Sequence, residues 1–332
     1  MESAREGQPV HRRRGDPGGT TMRALVFTGP ATVEMDDVAE PEPAEDEVLV
    51  HVRSAGICGS ELHGVRTPGF RIPPLVMGHE FAGVTDDGTS VTVNPILSCG
   101  TCDLCRGGLR QVCRDRRIIG VHLPGGFAER VAVPRSALHK LPDDMSWEAA
   151  AVIEPAANAV HAWRLADVAP GARVGVIGAG AIGLVCVLAA AGEETASIAV
   201  ADRSPERRRI AAKLGATTVA GELTGEFDVV FDAVGSSDTH EQSVRLLRPG
   251  GVAIWLGLAG AEAGFDATVL VRTEKRVLGS FAYTNAEFER AVDLVGGWGL
   301  GWTASYPLES GAEIFTDLMR GGSHPVKAIL RP

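Results

Sequence analysis

A chain of 332 residues with 45% hydrophobic and 22% charged residues has the composition of a globular protein and exceeds the size at which one core stops growing, so two domains are expected. Its formal charge of -10 argues against nucleic acid or an anionic membrane surface as the main partner. No apolar run reaches the roughly 18 residues that span a bilayer.

Residues 1–21 read as a polar extension with an Arg12-Arg13-Arg14 run and no apolar signal core, expected to be disordered. From Met22 to about residue 148 short β-rich runs broken by Gly and Pro, such as Arg23–Phe27, Glu47–Val52 and Ser90–Val93, predict a small, mostly β domain. From about residue 149 to 282 strands alternate with helical segments, through Ala172–Ile177, Ser197–Asp202, Phe227–Phe231 and Gly251–Leu256. That alternation predicts an α/β domain with a doubly wound parallel sheet. Residues 283–332 hold one helix, Ala286–Val295, and a final strand, Val326–Leu330. This is too little for a third core, and the economical reading returns the segment to the first domain.

Within the first domain Cys99, Cys102, Cys105 and Cys113 follow a C-x2-C-x2-C-x7-C pattern. Four thiolates in one glycine-punctuated loop can close a tetrahedral zinc site, so a structural zinc lobe is predicted over 95–115. Cys58 and His79 cannot join that filled tetrahedron. With Glu80 they point to a second metal site with an open position, the kind of site where chemistry occurs. The sixth cysteine, Cys186, lies in an apolar helical run and reads as core. No disulfide framework remains, which fits a reducing cytoplasm.

In the second domain strand 172–177 runs into Gly178-Ala179-Gly180-Ala181-Ile182-Gly183 and then an Ala/Leu/Val-rich helix. In this context the glycines permit a tight turn and close backbone approach to a pyrophosphate, and the helix N-terminus supplies N–H groups. Asp202 closes the next strand about twenty residues on, placed to accept from ribose hydroxyls and to repel a 2′-phosphate. NAD is therefore favoured, while Arg203 and the Arg207-Arg208-Arg209 run keep NADP possible.

In order, Cys58-Gly-Ser-x-x-His63, Gly78-His79-Glu80, the four-cysteine lobe and Gly178-Ala-Gly-x-Ile-Gly183 resemble the zinc-dependent alcohol dehydrogenases of the medium-chain dehydrogenase/reductase superfamily. The resemblance covers nearly everything after residue 21. It implies a GroES-like catalytic domain and a Rossmann cofactor domain, with Cys58 and His79 on catalytic zinc and Glu80 beside it. A third ligand is expected at the start of the cofactor domain, where Glu154-Pro155 is similar to the polyol (sorbitol) and threonine dehydrogenase branch; Glu154 would bind directly or through the zinc-bound water. Ser60 is placed like the family's relay hydroxyl and His63 like its solvent-facing end.

The activity implied is hydride transfer between a secondary alcohol (a polyol, sugar alcohol, cyclitol or amino alcohol) and NAD, giving the ketone. A secondary alcohol or ketone of lower polarity is the alternative, and a non-zinc quinone reductase-like or structural nucleotide-binding role a more distant one. Two zinc ions per chain and a homodimer or homotetramer, paired through strand-like Arg276–Phe281, are also implied. The substrate pocket is expected near residues 64–71, His122 and 281–283, with Arg66 and Arg71 read as solvated surface arginines and, as the alternative, as contacts for an anionic or highly hydroxylated substrate.

Overall fold

A computed structural model describes residues 20–67, 69–260, 262–321 and 325–332; the predicted extension, apart from Thr20 and Thr21, lies outside them. The chain divides into two compact units, residues 1–154 with 300–332, and residues 155–299.

The first unit is built mostly on antiparallel strands, with Thr303–Pro307 and Lys327–Arg331 paired in parallel. Thr32–Ala39, Thr21–Gly29 and Leu75–Val76 make a three-stranded sheet, and a seven-stranded sheet runs Leu138–Lys140, Ser90–Val93, Glu80–Thr85, Glu47–Gly56, Lys327–Arg331, Thr303–Pro307, with Arg130–Pro134 also on Glu47–Gly56. Leu25, Val50, Val52, Met77, Phe81, Phe127, Phe315 and Leu330 form its core, alternating with outward residues as a sheet with one wet face requires. Register decides what meets at one end: Gly56 pairs with Glu80 on one side and Ile329 on the other. A Cβ on Gly56 would lie 2.3 Å from Glu80 Oε2 and 2.6 Å from Lys327 Cε, so only glycine lets those two side chains cross this strand.

In the second unit six strands are all parallel, in the order Thr218–Ala220, Thr195–Ala201, Ala172–Ile177, Phe227–Asp232, Leu247–Trp255, Arg276–Gly279. The order reverses between Ala172–Ile177 and Phe227–Asp232, the switch point at whose carboxyl side open α/β sheets bind ligands. Helices pack on the sheet, so its strands are apolar on both faces. Helix Ala181–Ala191 is itself apolar nearly all round and buried. Its Cys186 is 2% exposed, and burial pushes the thiol up to about 12, which makes it inert.

The unit boundary differs from the 148/149 and 282/283 expected from sequence. Helix Asn285–Val295 belongs to the second unit because Glu287 binds it there. The Glu287 carboxylate caps its own helix on Thr284 N–H at 2.7 Å and accepts from His161 Nδ1 at 2.9 Å and from the Arg164 guanidinium. An exposed-looking helix-start acid is in fact a buried anchor.

Candidate metal centre and cofactor loop

Strand Glu47–Gly56 delivers the chain to Cys58, the N-cap of helix Gly59–Gly64. The third residue of that helix, Glu61, reaches back so that its Oε2 accepts the Cys58 N–H at 3.0 Å, the reciprocal half of a capping box. Its Oε1 accepts from Gly78 N–H and from His79 Nδ1, both at 3.0 Å. A carboxylate only accepts, so the proton sits on Nδ1 and Nε2 is left as the ligand atom. Glu61 is fully buried; burial opposes its ionisation, but His79, Arg71 and the Cys58 N–H together hold its pKa below the usual carboxylate range.

Ligand atoms of Cys58, His79 and Glu80 lie within 4.8 Å of one another, which suits a single ion bound by sulfur, nitrogen and oxygen. Burial depresses His79, yet Glu61 first and Cys58 beside it outweigh that and hold the imidazole well above its usual pKa; the pocket favours positive charge. Glu80 is 1% exposed and ion-paired with buried Lys327, whose ammonium also donates to Ile57 O at 3.0 Å. Burial first, and Glu154 as a like charge, raise Glu80 to about 7 against the pull of Lys327.

Glu154 sits in the first turn of helix Ile153–Ala166, where the dipole favours an acid. It is near enough to raise Glu80 but stands outside the cluster of three. Ser60 Oγ donates to Cys58 Sγ at 3.3 Å, and His63, three residues further along the same helix, is exposed. Arg66 is exposed as expected and donates to Met319 O. Arg71 is not: it is 2% exposed, with Nη1 on Ser60 O at 3.0 Å.

The four-cysteine lobe is framed by the small hairpin Ile96–Leu97/Arg117–Ile118. Sulfur separations are 3.5 Å for Cys113–Cys99 and 3.9 Å for both Cys99–Cys105 and Cys102–Cys113. Tetrahedral zinc at about 2.3 Å from each sulfur puts the sulfurs about 3.8 Å apart, so the thiols match the ion's geometry and are far from disulfide distance. N–H groups of Cys102, Cys105 and Cys99 point at Cys99, Cys102 and Cys113 sulfurs. The Thr101 and Cys102 N–H groups lower Cys99 to about 6, whereas burial pushes Cys105 up to about 11; four thiolates need a cation among them to ionise together.

In the second unit the glycines of the loop divide the work. Gly178 has φ +91, and a Cβ there would meet Val234 at 2.6 Å; a Cβ on Gly183 would lie 1.8 Å from Gly178 O. One makes the turn and the other lets helix Ala181–Ala191 close on the strand. A Cβ on Gly180, the N-cap, would have nothing within 4 Å, and this is where a pyrophosphate needs open access to the N–H groups of Ala181 and Ile182. These features fit a dinucleotide. Asp202 accepts from Ala179 N–H and Ser204 N–H, both at 2.8 Å, which fixes its carboxylate at the loop. Arg203 is exposed, and Arg208 donates to Asp202 O at 2.7 Å and Arg203 O at 3.2 Å.

Three residues escaped the sequence reading. The Glu61 signal was present as an acid three residues after an N-cap. Lys327 was visible only as a lysine in an otherwise apolar strand. Asp232, fully buried at the end of strand Phe227–Asp232, accepts from Val234 and Gly235 N–H at 2.9 Å and so shapes the turn that packs on Gly178.

Residues 44–143 match the alcohol dehydrogenase GroES-like domain and residues 181–296 the zinc-binding dehydrogenase domain. The chain is 34% identical to L-galactonate-5-dehydrogenase of Escherichia coli K12 over 82% of this chain and 86% of that one. It is 31% identical to L-idonate 5-dehydrogenase of Vitis vinifera, over 82% and 83%. A structure solved as a zinc-binding dehydrogenase of Sinorhizobium meliloti 1021 bound to NADP superposes with TM-score 0.88 at 30% identity, covering 94% of this chain and all of that one (100%).

Proposed function

This chain belongs to the family of zinc-binding alcohol dehydrogenases, and we propose on that premise that it oxidises a hydroxyl-rich secondary alcohol to the ketone with NAD as hydride acceptor. The observation that carries the reading is the convergence of Cys58, His79 and Glu80 ligand atoms within 4.8 Å, in a chain that also presents the open Gly180 turn. Two relatives named for galactonate and idonate support a polyhydroxy substrate.

Cys58 and His79, with Glu80 and Glu154 alongside, would hold a zinc supplying Lewis acidity toward a substrate hydroxyl, and the Gly178–Gly183 loop would hold the pyrophosphate of the dinucleotide that supplies the hydride acceptor. The chain's own residues do the rest. Glu61 orients His79 and sets its tautomer; Lys327 offsets the buried charge of Glu80. The Ser60 hydroxyl, turning from Cys58 Sγ, takes the substrate proton toward exposed His63. Cys99, Cys102, Cys105 and Cys113 hold a second zinc that supports their lobe. Asp202 selects NAD through the ribose hydroxyls; the NADP-bound relative makes the nucleotide a point to test.

We read the assembly as a homodimer or homotetramer, since Arg276–Gly279 is an edge strand, checked by sedimentation velocity. A reducing cytoplasm suits six free cysteines; among the described residues no helix is long and apolar enough to cross a membrane. The deciding experiment measures initial rates with NAD and NADP over polyols, polyhydroxy acids, cyclitols, amino alcohols and simple secondary alcohols, with zinc analysis. NAD reduction on hydroxyl-rich compounds and two zinc ions per chain are expected. Activity confined to apolar alcohols would refute the substrate reading, and one zinc per chain the metal reading.

A further inference from the structure

Arg71 is the most conspicuous buried cation that the reaction as described leaves idle. Its side chain is 2% exposed, yet its Nε–H and Nη2–H have no hydrogen-bond partner, and among the described residues it forms no ion pair. Only Nη1 is engaged, on Ser60 O at 3.0 Å. That choice of atom matters. Nη1 lies on the Cδ side of the guanidinium, so Nε–H and Nη2–H remain as two parallel donors on one edge, the fork that matches both oxygens of a carboxylate or phosphate. Two buried donors without an acceptor are costly for a fold to keep, and such exceptions call for a role.

Placement adds to this. Arg71 binds the carbonyl of the residue whose hydroxyl lies 3.3 Å from Cys58 Sγ, so the fork belongs to the same end of the first unit as the metal ligands. Its seat is built: a Cβ on Gly64 would fall 1.8 Å from Nη1, so glycine there makes room for the guanidinium. The ring over it is Phe70, its centroid 5.1 Å from the guanidinium carbon and itself 50% exposed, so this side of the guanidinium is covered by one surface ring and not by core. The charges around it are mixed: Glu61 and Cys58 act on Arg71 as negative neighbours without occupying its free edge, while, after burial, Arg116, Arg117 and Arg71 hold His122 below the usual imidazole range.

We infer that the Nε–H/Nη2–H edge of Arg71 receives a pair of anionic oxygens at one end of the substrate, which makes that substrate an acid, a polyhydroxy carboxylate or a polyol phosphate, and not a neutral polyol. The inference rests on reading Cys58, His79 and Glu80 as the place where the reacting hydroxyl is held. Arg71 is then a specificity residue: it binds the far end of the substrate and leaves the hydride step alone.

The test compares a hexonate, the corresponding hexitol and its terminal phosphate as substrates for the zinc-loaded full chain, for wild type, Arg71→Gln and Arg71→Lys. Wild type is expected to favour one of the two anions over the hexitol by at least about tenfold in kcat/KM, and which anion wins tells carboxylate from phosphate. Arg71→Gln should lose about 100-fold on that anion, mainly in KM, and less than about threefold on the hexitol. Arg71→Lys, which keeps the charge without the fork, should recover only part of the loss. Zinc content should stay at the wild-type value in both variants. A wild type that oxidises hexitol as efficiently as either anion overturns the inference even if the variants do not fold. An equal loss on all three substrates in Arg71→Gln, or loss of zinc, also overturns it, by assigning Arg71 to the framework of the metal site. No oxidation of any of the three with NAD or NADP would instead sink the alcohol dehydrogenase reading beneath it.

Discussion

Replacing Glu61 by Gln keeps the shape of a side chain that holds the metal ligands in place and removes its charge. In the wild type one carboxylate serves three donors: Cys58 N–H on Oε2, and Gly78 N–H and His79 Nδ1–H on Oε1, each at 3.0 Å. Glutamine has a single acceptor oxygen. Turned toward Gly78 and His79, it sets its NH2 against the Cys58 N–H; turned the other way, it orphans two donors. The milder choice leaves one buried donor unpaired, about 1–3 kcal/mol, and turns the two remaining charge-assisted bonds into neutral ones, about 1 kcal/mol or more in total. Only part of that local loss falls on metal binding. Loss of a group that orients a ligand typically lowers metal affinity about 10- to 100-fold, equivalent to about 1.4–2.7 kcal/mol. The assay is competition with a chromophoric chelator on the folded protein. The four-cysteine site shares no residue with Glu61 and serves as the internal reference, so one zinc should weaken and the other stay. An affinity within about threefold of wild type at both sites would refute the view that Glu61 sets the His79 tautomer.

Two glycines of the loop should respond in opposite ways. Gly183→Ala puts a Cβ 1.8 Å from Gly178 O, a backbone clash expected to lower the unfolding temperature and abolish NADH binding. Gly180→Ala meets nothing within 4 Å and should leave that temperature unchanged while weakening NADH about tenfold, read by fluorescence titration, because the methyl occupies the pyrophosphate approach. Ser60→Ala should reduce alcohol oxidation by about 100-fold with NAD affinity within about twofold; an unchanged rate would remove Ser60 from the proton path. Acid stability tests Glu287. Burial opposes its ionisation, but His161, the Thr284 N–H and Arg164 hold it down at about 2 against an ordinary 4.5. Between those values the unfolded chain takes up a proton that the folded one refuses, so the contribution is whole above about pH 4.5 and disappears as pH falls toward 2. Thermal unfolding of Glu287→Gln should therefore depend less on pH over that window than wild type, and parallel curves would contradict the assignment.

What could be read along the chain was whatever physics writes locally. Cys99, Cys102, Cys105 and Cys113 lie close in sequence, so one loop brings their sulfurs together. Gly178 lies in the turn, Gly180 at the N-cap and Gly183 nearly one helical turn further on. Those patterns carry their geometry with them. The Glu61 contacts with Gly78 and His79 span 17 and 18 residues and the Lys327 contact with Glu80 spans 247; no local spacing encodes such pairs. Arg71 looked like a surface arginine because an isolated Arg beside two prolines resembles any loop, and only the seat beside Gly64 buries it. Glu154 had a signal in Glu154-Pro155, yet whether it reaches the ligand cluster depends on how a helix starts, a matter of a few ångströms. The helix Asn285–Val295 was found but assigned to the wrong unit, because its allegiance rests on a contact between His161 and Glu287, 126 residues apart.

The lysine on Glu80 also orders events in time. Ribosomes release a chain from its N-terminus, and units fold as they emerge. The four cysteines lie within a stretch whose ends are 14 residues apart, so that cluster is complete while synthesis is still under way. The other pocket waits for a strand that appears 247 residues after Glu80. Until then Glu80 has His79 nearby but lacks the ammonium that pairs with it. The two clusters are thus completed on different clocks, and a nascent chain stalled before Lys327 would have the four-cysteine loop without a finished Cys58–His79–Glu80 pocket.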